Sequence, residues 1–402
     1  IINDIGVKKQ ILASKTNSAA EDFNDSEWIG LLELDKTGRY VNSASNINTI
    51  LRNDEYLKDI FAYCSFDGKK YVMRSTPWRD IESRSPLRDV DYAGVRNYIE
   101  VVYGIASSAK IDDALQLEME RNVFHPITEY IESVEWDGVP RVANLFIDYF
   151  GAKDTPYVRE VSTILCTAAV ARVFEPGIKY DTVVTIVGTQ GTGKSTFFRT
   201  LSKNWFSDSF TTFQGKEAFE QLQGVWFLEM AELSALKRTD VEAAKQYISK
   251  NEDLFRPAYG RTVEVFPRQC VIVGTTNESD FLQDPTGNRR FLPVDTNMDL
   301  ATKDIWEDLP DEVDQIWAEA YILYQNGQKL YLSSDADKIA RVEQDKHSEI
   351  DERRGLVLDY LETKFPENWD SMDIYDRRDF LQDPLASKGK VTKNFVCIAE
   401  LW

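Results

Sequence analysis

The chain has 402 residues, enough for two or three domains that each bury a core, and its 43% apolar content with nine tryptophans is that of a folded protein rather than a disordered one. A formal net charge of −20 excludes a protein that coats DNA over its whole surface, but leaves room for a local basic lining. Only two histidines, His125 and His347, argue against histidine-based zinc or acid–base chemistry, and four scattered cysteines (Cys64, Cys166, Cys270, Cys397) without metal-ligand spacing point to a reducing cytoplasm.

Residues 1–26 are polar with few helix or strand signals, and the missing initiator methionine points to a fragment. Residues 27–110 read as a small α/β accessory domain without a chemical motif. In it Trp28 to Leu34 reads as a strand, Asn46 to Leu57 as a helix, Ile60 to Cys64 and Tyr71 to Met73 as a hairpin, and Tyr92 to Tyr103 as a helix. Residues 111–178 read as a helical region. His125 stands where Pro126 opens a helix, which makes it a helix-start residue rather than a ligand. A longer helix from Tyr157 to Phe174 ends at Pro176-Gly177. Its apolar stretch from Val161 is broken by Ser162, Thr163, Thr167 and Arg172, too short and too polar to span a bilayer. No signal peptide is evident and no membrane partner is expected.

Residues 179–298 carry the chemistry. Thr182 to Val187 is a β-branched apolar run, as in a strand buried on both faces of a parallel sheet. Gly188-Thr189-Gln190-Gly191-Thr192-Gly193-Lys194-Ser195 then fits the phosphate-binding pattern G-x-x-x-x-G-K-[ST], and Thr196 to Leu201 reads as the helix that follows. In this order backbone N–H groups from Gly188 to Thr196 turn towards phosphate oxygens, with the partial positive charge of the helix N-terminus behind them. Lys194 is expected to reach the β- and γ-phosphates of ATP, and Ser195 to hold Mg²⁺ through its hydroxyl. A glycine-rich turn that matched by chance would not also bring the strand and the helix.

Val225 to Leu228 reads as a second strand, with Glu229 and Glu232 at its end. Glu229 is assigned to the metal and Glu232 to orienting or activating water, as a strand-end acid beside a phosphate loop must do. The alternative makes Glu232 a solvated first-turn residue. Thr239 to Lys250 reads as a helix, Leu254 to Pro267 as a hairpin, and Cys270 to Asn277 as a third buried strand. Asn277 at its tip has the donor and acceptor to bond the γ-phosphate or the attacking water. Arg289 and Arg290 follow before a short apolar segment, as residues that would stabilise charge on a transferring phosphoryl group. The segment Lys250 to Arg268 holds Lys250, Arg256, Arg261 and Arg268 around Tyr259, against Glu252, Asp253 and Glu264. It is the candidate DNA contact, with arginines on phosphates and Tyr259 stacking on a base; the alternative is a surface hairpin whose arginines pair with its own acids. Residues 299–402 read as helical and acidic, with helices around Ile316 to Tyr324 and from Arg353 to Phe365. A short apolar tail, Val391 to Trp402, resembles part of a winged helix.

Phosphate loop, paired acids, strand-end Asn and arginine pair in this order resemble the superfamily 3 helicases. The whole set more closely resembles the virulence-associated protein E family, from about Trp28 to Val294. The resemblance rests on Asn122 to Pro126, Val134 to Arg141, Pro176 to Asp181, the phosphate loop, Glu229 to Leu233, Phe255 to Arg261, Gly274 to Asn277 and Thr286 to Phe291. It implies an α/β fold with a P-loop NTPase core, a parallel sheet flanked by helices, between a small N-terminal α/β domain and helical segments. It also implies a phage or genomic-island ATPase in a bacterial cytoplasm, hydrolysing ATP with Mg²⁺ to unwind or move along DNA, single-stranded DNA favoured. A homo-oligomeric ring, a primase working beside it, and Arg289 or Arg290 acting on the neighbouring subunit's γ-phosphate belong to the same implication. The acids depart from the adjacent Asp-Glu pair of many relatives, which leaves the division of labour between Glu229 and Glu232 open. The alternative function is an ATP-switched regulatory or interaction protein that moves nothing. A small-molecule kinase would leave Asn277 and the arginine pair without a role.

Overall fold

The computed structural model describes residues 27–210, 212–231, 238–256, 262–282, 288–348, 360, 363–382 and 389–391. The first part comprises α1 (Ala44–Asn53), β1 (Phe61–Cys64), β2 (Lys70–Val72), β3 (Ser85–Pro86), α2 (Asp89–Tyr103), α3 (Ser108–Arg121) and β4 (Val123–Phe124). Of these, α1, β1, β2, α2 and α3 close on a core of their own, while Phe124 of β4, with Ala62 and Cys64 of β1, packs into the core of the central sheet. Ser43 starts α1 by accepting a hydrogen bond from the Asn46 N–H. The expected hairpin is present, Phe61 facing Val72 in antiparallel register, and the sheet runs β3-β2-β1-β4. Two readings are corrected here. Trp28 to Leu34 is not a strand: Glu27–Leu31 is a 3₁₀ turn, Leu32 packs into the N-terminal core, and only Leu34 reaches a lone antiparallel bridge, with Tyr40 across the turn that follows, while Leu31 and Leu34 stay exposed. The N-terminal core also extends past residue 110, since α3 contributes Leu115 and Met119 to it and β4 pairs in parallel with β1.

The helices α4 (Pro126–Glu132), α5 (Leu145–Phe150) and α6 (Pro156–Phe174) lead into the central sheet. As its position before Pro126 predicts, His125 caps α4, its Nδ1 accepting from the Thr128 N–H. Thr155 does the same for α6 through the Val158 N–H. The sheet is assembled from β5 (Val183–Val187), β6 (Phe206–Ser207), β7 (Phe227–Ala231), β10 (Val271–Thr276) and β11 (Phe291–Asp295), all parallel, in the order β11-β5-β10-β7-β6. Every residue of β5 and β10 is buried, as an unbroken β-branched run requires when both faces are covered. On one face Val184, Ile186, Phe227 and Val273 pack with α6, α7 (Lys194–Leu201) and α10 (Leu309–Gln325). On the other, Val183, Leu228 and Ile272 pack with Tyr247 and Ile248 of α9 (Arg238–Ile248) and with Ala218 of the one-turn helix α8 (Glu217–Glu220).

Two buried tryptophans lock the layers together: Trp226 Nε1 donates to Ala169 O of α6, and Trp317 Nε1 of α10 donates to Leu201 O at the end of α7. Arg172, the one basic residue in the apolar part of α6, is buried and donates to Cys270 O and Tyr180 O, the backbone that leads into β10 and β5. The antiparallel ribbon β8 (Glu252–Phe255) and β9 (Glu264–Pro267) forms where a hairpin is expected. Helix α11 (Ser334–Lys346) packs on α6 and β11, and α12 (Ile374–Gln382) follows. The helix expected from Arg353 to Phe365 and the tail from Val391 to Trp402 fall almost wholly outside the described residues. Among the described residues no helix is long and apolar enough to cross a membrane.

Candidate active site

Gly188 to Gly193 join the carboxyl end of β5 to the first turn of α7, so the loop lies where strand ends and a helix N-terminus meet. The glycines are required there. Gly193 has φ +79°, and a Cβ on it would come within 2.9 Å of the Trp306 ring; one on Gly188 would meet Thr296 Oγ1 at 1.9 Å. The loop borders a cleft of about 300 Å³ lined by Gln190 to Thr196, Ala231 and Thr275 to Asn277. Strand β10 lies between β5 and β7, which brings the tips of all three strands to this cleft.

Lys194 Nζ donates to Gly188 O at 2.7 Å, Thr189 O at 2.8 Å and Asn277 Oδ1 at 2.9 Å. Burial holds its ammonium below the ordinary lysine range, with the Glu229 carboxylate opposing that shift. Glu229, inside β7, is completely buried. Its Oε1 accepts from Ser195 Oγ at 2.7 Å and from Thr275 Oγ1 at 2.6 Å. Its Oε2 is buried without a hydrogen-bond partner. A bare oxygen on a buried carboxylate is costly unless a cation answers it, and among the described residues no basic group forms an ion pair with Glu229. With the Ser195 hydroxyl beside it, this donor set fits Mg²⁺, which prefers oxygen ligands.

Lys194, Ser195, Glu229 and Asn277 are thus brought together as their spacing predicts. Thr275 was missed, although strand geometry puts it on the same face as Asn277, two residues on. Glu232 lies outside the described residues.

The arginines go elsewhere. Phe291 of β11 pairs with Val183, the first residue of β5, so Arg289 and Arg290 sit at the amino end of the sheet, about 13 Å of strand away from the loop. Arg289 is exposed, and Arg290 Nε donates to Ser249 Oγ at 2.9 Å. The ribbon β8–β9 is also at the amino end, since only Arg268 to Cys270 separate it from β10. Of the candidate DNA contacts, Lys250 and Arg256 are exposed, while Tyr259 and Arg261 lie outside the described residues. Arg268 is a correction. It is buried, its Nε and Nη2 donate to Asp253 at 2.8 and 3.0 Å, and its Nη1 donates to Tyr247 O, so it holds the ribbon to α9 and has no surface to offer a phosphate.

A parallel, helix-flanked sheet with this loop at the carboxyl end of its strand is a P-loop NTPase fold. The chain belongs to the virulence-associated protein E-like domain family, whose model matches residues 131–349, more than half of its length. Among solved structures, the apo structure of the NrS-1 C terminal region aligns over 80% of this chain and 77% of that chain, at 13% identity and a TM-score of 0.41. The A form apo structure of the same region aligns over 80% and 76%, at 12% identity and 0.42. No curated protein matches the chain significantly.

Proposed function

We propose that this protein hydrolyses ATP with Mg²⁺ and couples hydrolysis to movement on DNA, in the replication of a phage or genomic island and beside a primase. The observation that carries the ATPase reading is Glu229 Oε2, a buried carboxylate oxygen left bare at the foot of a phosphate loop. Ser195 and Glu229 would hold Mg²⁺, with the Thr275 hydroxyl fixing the carboxylate's rotation. The ion's chemistry is to neutralise charge on the β- and γ-oxygens. Lys194 now spends its three donors on loop carbonyls and Asn277. A triphosphate offers it stronger, charge-assisted partners, and its transfer frees Asn277 to bond the γ-phosphate or the attacking water. Glu232 then orients that water.

Arg289 and Arg290, at the far end of their own sheet from their own loop, are assigned to a neighbouring subunit's γ-phosphate in a ring. Lys250, Arg256, Tyr259 and Arg261 are assigned to single-stranded DNA.

The test is steady-state ATP turnover with and without single-stranded DNA. Lys194→Ala is expected to abolish turnover while the fold persists; near-normal turnover would remove the phosphate-loop assignment. Glu232→Gln is expected to bind Mg·ATP and stall, and if Glu229→Gln does so instead, the two acids have exchanged roles. Turnover that ignores DNA would favour an ATP-switched regulatory protein.

A further inference from the structure

His347, at the end of α11, belongs to neither the nucleotide cleft nor the ribbon, and its side chain is only 5% exposed. Its Nδ1 lies 2.6 Å from Ser279 O. A carbonyl oxygen can only accept, so Nδ1 carries the proton and Nε2 of the neutral ring is a lone pair. That Nε2 is buried and has no hydrogen-bond partner, although Asp295 Oδ1 stands 3.0 Å away. The carboxylate thus stands beside the ring nitrogen as an ion-pair partner, and although burial opposes it, Asp295 holds the imidazole's pKa above its usual value.

Two donor atoms this close to each other can also serve as two ligands of one cation. With bonds of about 2.1 Å, one ion sets two ligands about 3.0 Å apart at a right angle and about 3.4 Å apart at the tetrahedral angle, so the observed 3.0 Å lies within a few tenths of an ångström of either. Glu343, one helical turn before His347 and on the same face, brings a third donor, and the three ligand atoms lie within 4.8 Å of one another. The Ser279 carbonyl supplies what a metal-bound imidazole usually has, an acceptor on its other nitrogen that fixes tautomer and ring orientation.

We infer that Asp295, Glu343 and His347 form a binding site for a divalent transition-metal ion. One imidazole with two carboxylates suits Zn²⁺ or its neighbours better than Mg²⁺, which takes oxygen ligands. Lys346 now holds both Glu343 oxygens, at 2.9 and 2.7 Å, through a half-exposed pair that an ion has to displace. The site sits where three segments meet. Leu282 N donates to His347 O at 3.0 Å, Asn288 Nδ2 to Ser348 Oγ at 3.0 Å, and Gln344 Nε2 to Phe291 O at 2.9 Å. A bound ion would clamp α11 to β11 and, through Ser279, to the segment two residues beyond Asn277. The inference does not depend on the ATP reading.

The experiment is calorimetric titration of the whole protein with Zn²⁺ at pH 7.5, in excess Mg²⁺ to cover the nucleotide site. One equivalent is expected to bind. Asp295→Asn and His347→Gln are each expected to weaken it more than about 10-fold, the least that losing even an outer partner of a metal site costs. Ser195→Ala is expected to retain it. Asp295 is exposed, so Asp295→Asn remains informative if His347→Gln fails to fold, and Zn²⁺ should raise the melting midpoint of the wild type but not of Asp295→Asn. Absence of Zn²⁺ binding, binding unchanged in Asp295→Asn, or binding lost in Ser195→Ala would overturn the site, the first leaving an imidazolium–carboxylate pair as the reading of this cluster.

Discussion

At the amino end of the central sheet Arg268 is buried with Asp253 across a two-pronged ion pair, while at the carboxyl end Glu229 is buried with one oxygen answered twice and the other not at all. Both charges are costly to bury, and burial alone does not separate structure from chemistry. The difference lies in satisfaction. Arg268 spends its guanidinium on Asp253 and the Tyr247 carbonyl and so holds a ribbon in place. Glu229 is positioned by two hydroxyls and keeps one oxygen without a hydrogen-bond partner, the atom that the proposed metal role would use.

The comparison can be pressed hardest at the amino end, where, unlike Arg268, neither Arg289, which is exposed, nor Arg290, which is half-buried and donates to Ser249, is held by an ion pair among the described residues. Replacing both with Ala is expected to lower ATP turnover by about 10³- to 10⁵-fold, and mixing with Lys194→Ala protein to restore part of it, because a mixed interface keeps one intact half from each. With both proteins folded and oligomeric, no rescue at any ratio would return the arginines to a structural role.

The two buried charges should then part company in stability. Asp253→Ala leaves Arg268 buried and unpaired, so urea unfolding is expected to show a loss of about 3–5 kcal/mol. Glu229→Gln removes a bare charge and should leave stability within about 1 kcal/mol of wild type or above it, while Mg²⁺-dependent turnover falls. Comparable losses from the two variants would mean that Glu229 is as fully compensated as Arg268.

The smallest effect is on DNA. Arg256→Ala removes an exposed arginine of the ribbon and should reduce the dependence of log affinity for single strands on log salt by about 0.7 per lost phosphate contact, with basal turnover kept. An unchanged slope would remove the ribbon from the DNA contact.

Local pattern alone determined the phosphate loop, because a β-branched strand, glycines at fixed offsets and a helix start are consecutive in the chain. It also singled out Glu229 and Asn277 as candidates, both carried by buried apolar runs that a parallel sheet sets side by side, Asn277 just past its strand and Glu229 inside its own. Burial and partners were decided only in three dimensions. Charge counting treats Arg268 and Arg256 alike, and only the approach of Asp253 across the ribbon, and of α9 behind it, makes one a strut and leaves the other on the surface. Thr275 is an unremarkable strand residue until β7 lies beside β10 and puts Glu229 within 2.6 Å of its hydroxyl. Asp295, Glu343 and His347 are too widely spaced to read as a cluster, and the packing of α11 on β11 brings them together. Sequence periodicity carries what neighbours along the chain can do for one another, whereas the satisfaction of a buried polar atom depends on residues tens of positions away, which only the folded arrangement brings within hydrogen-bonding distance.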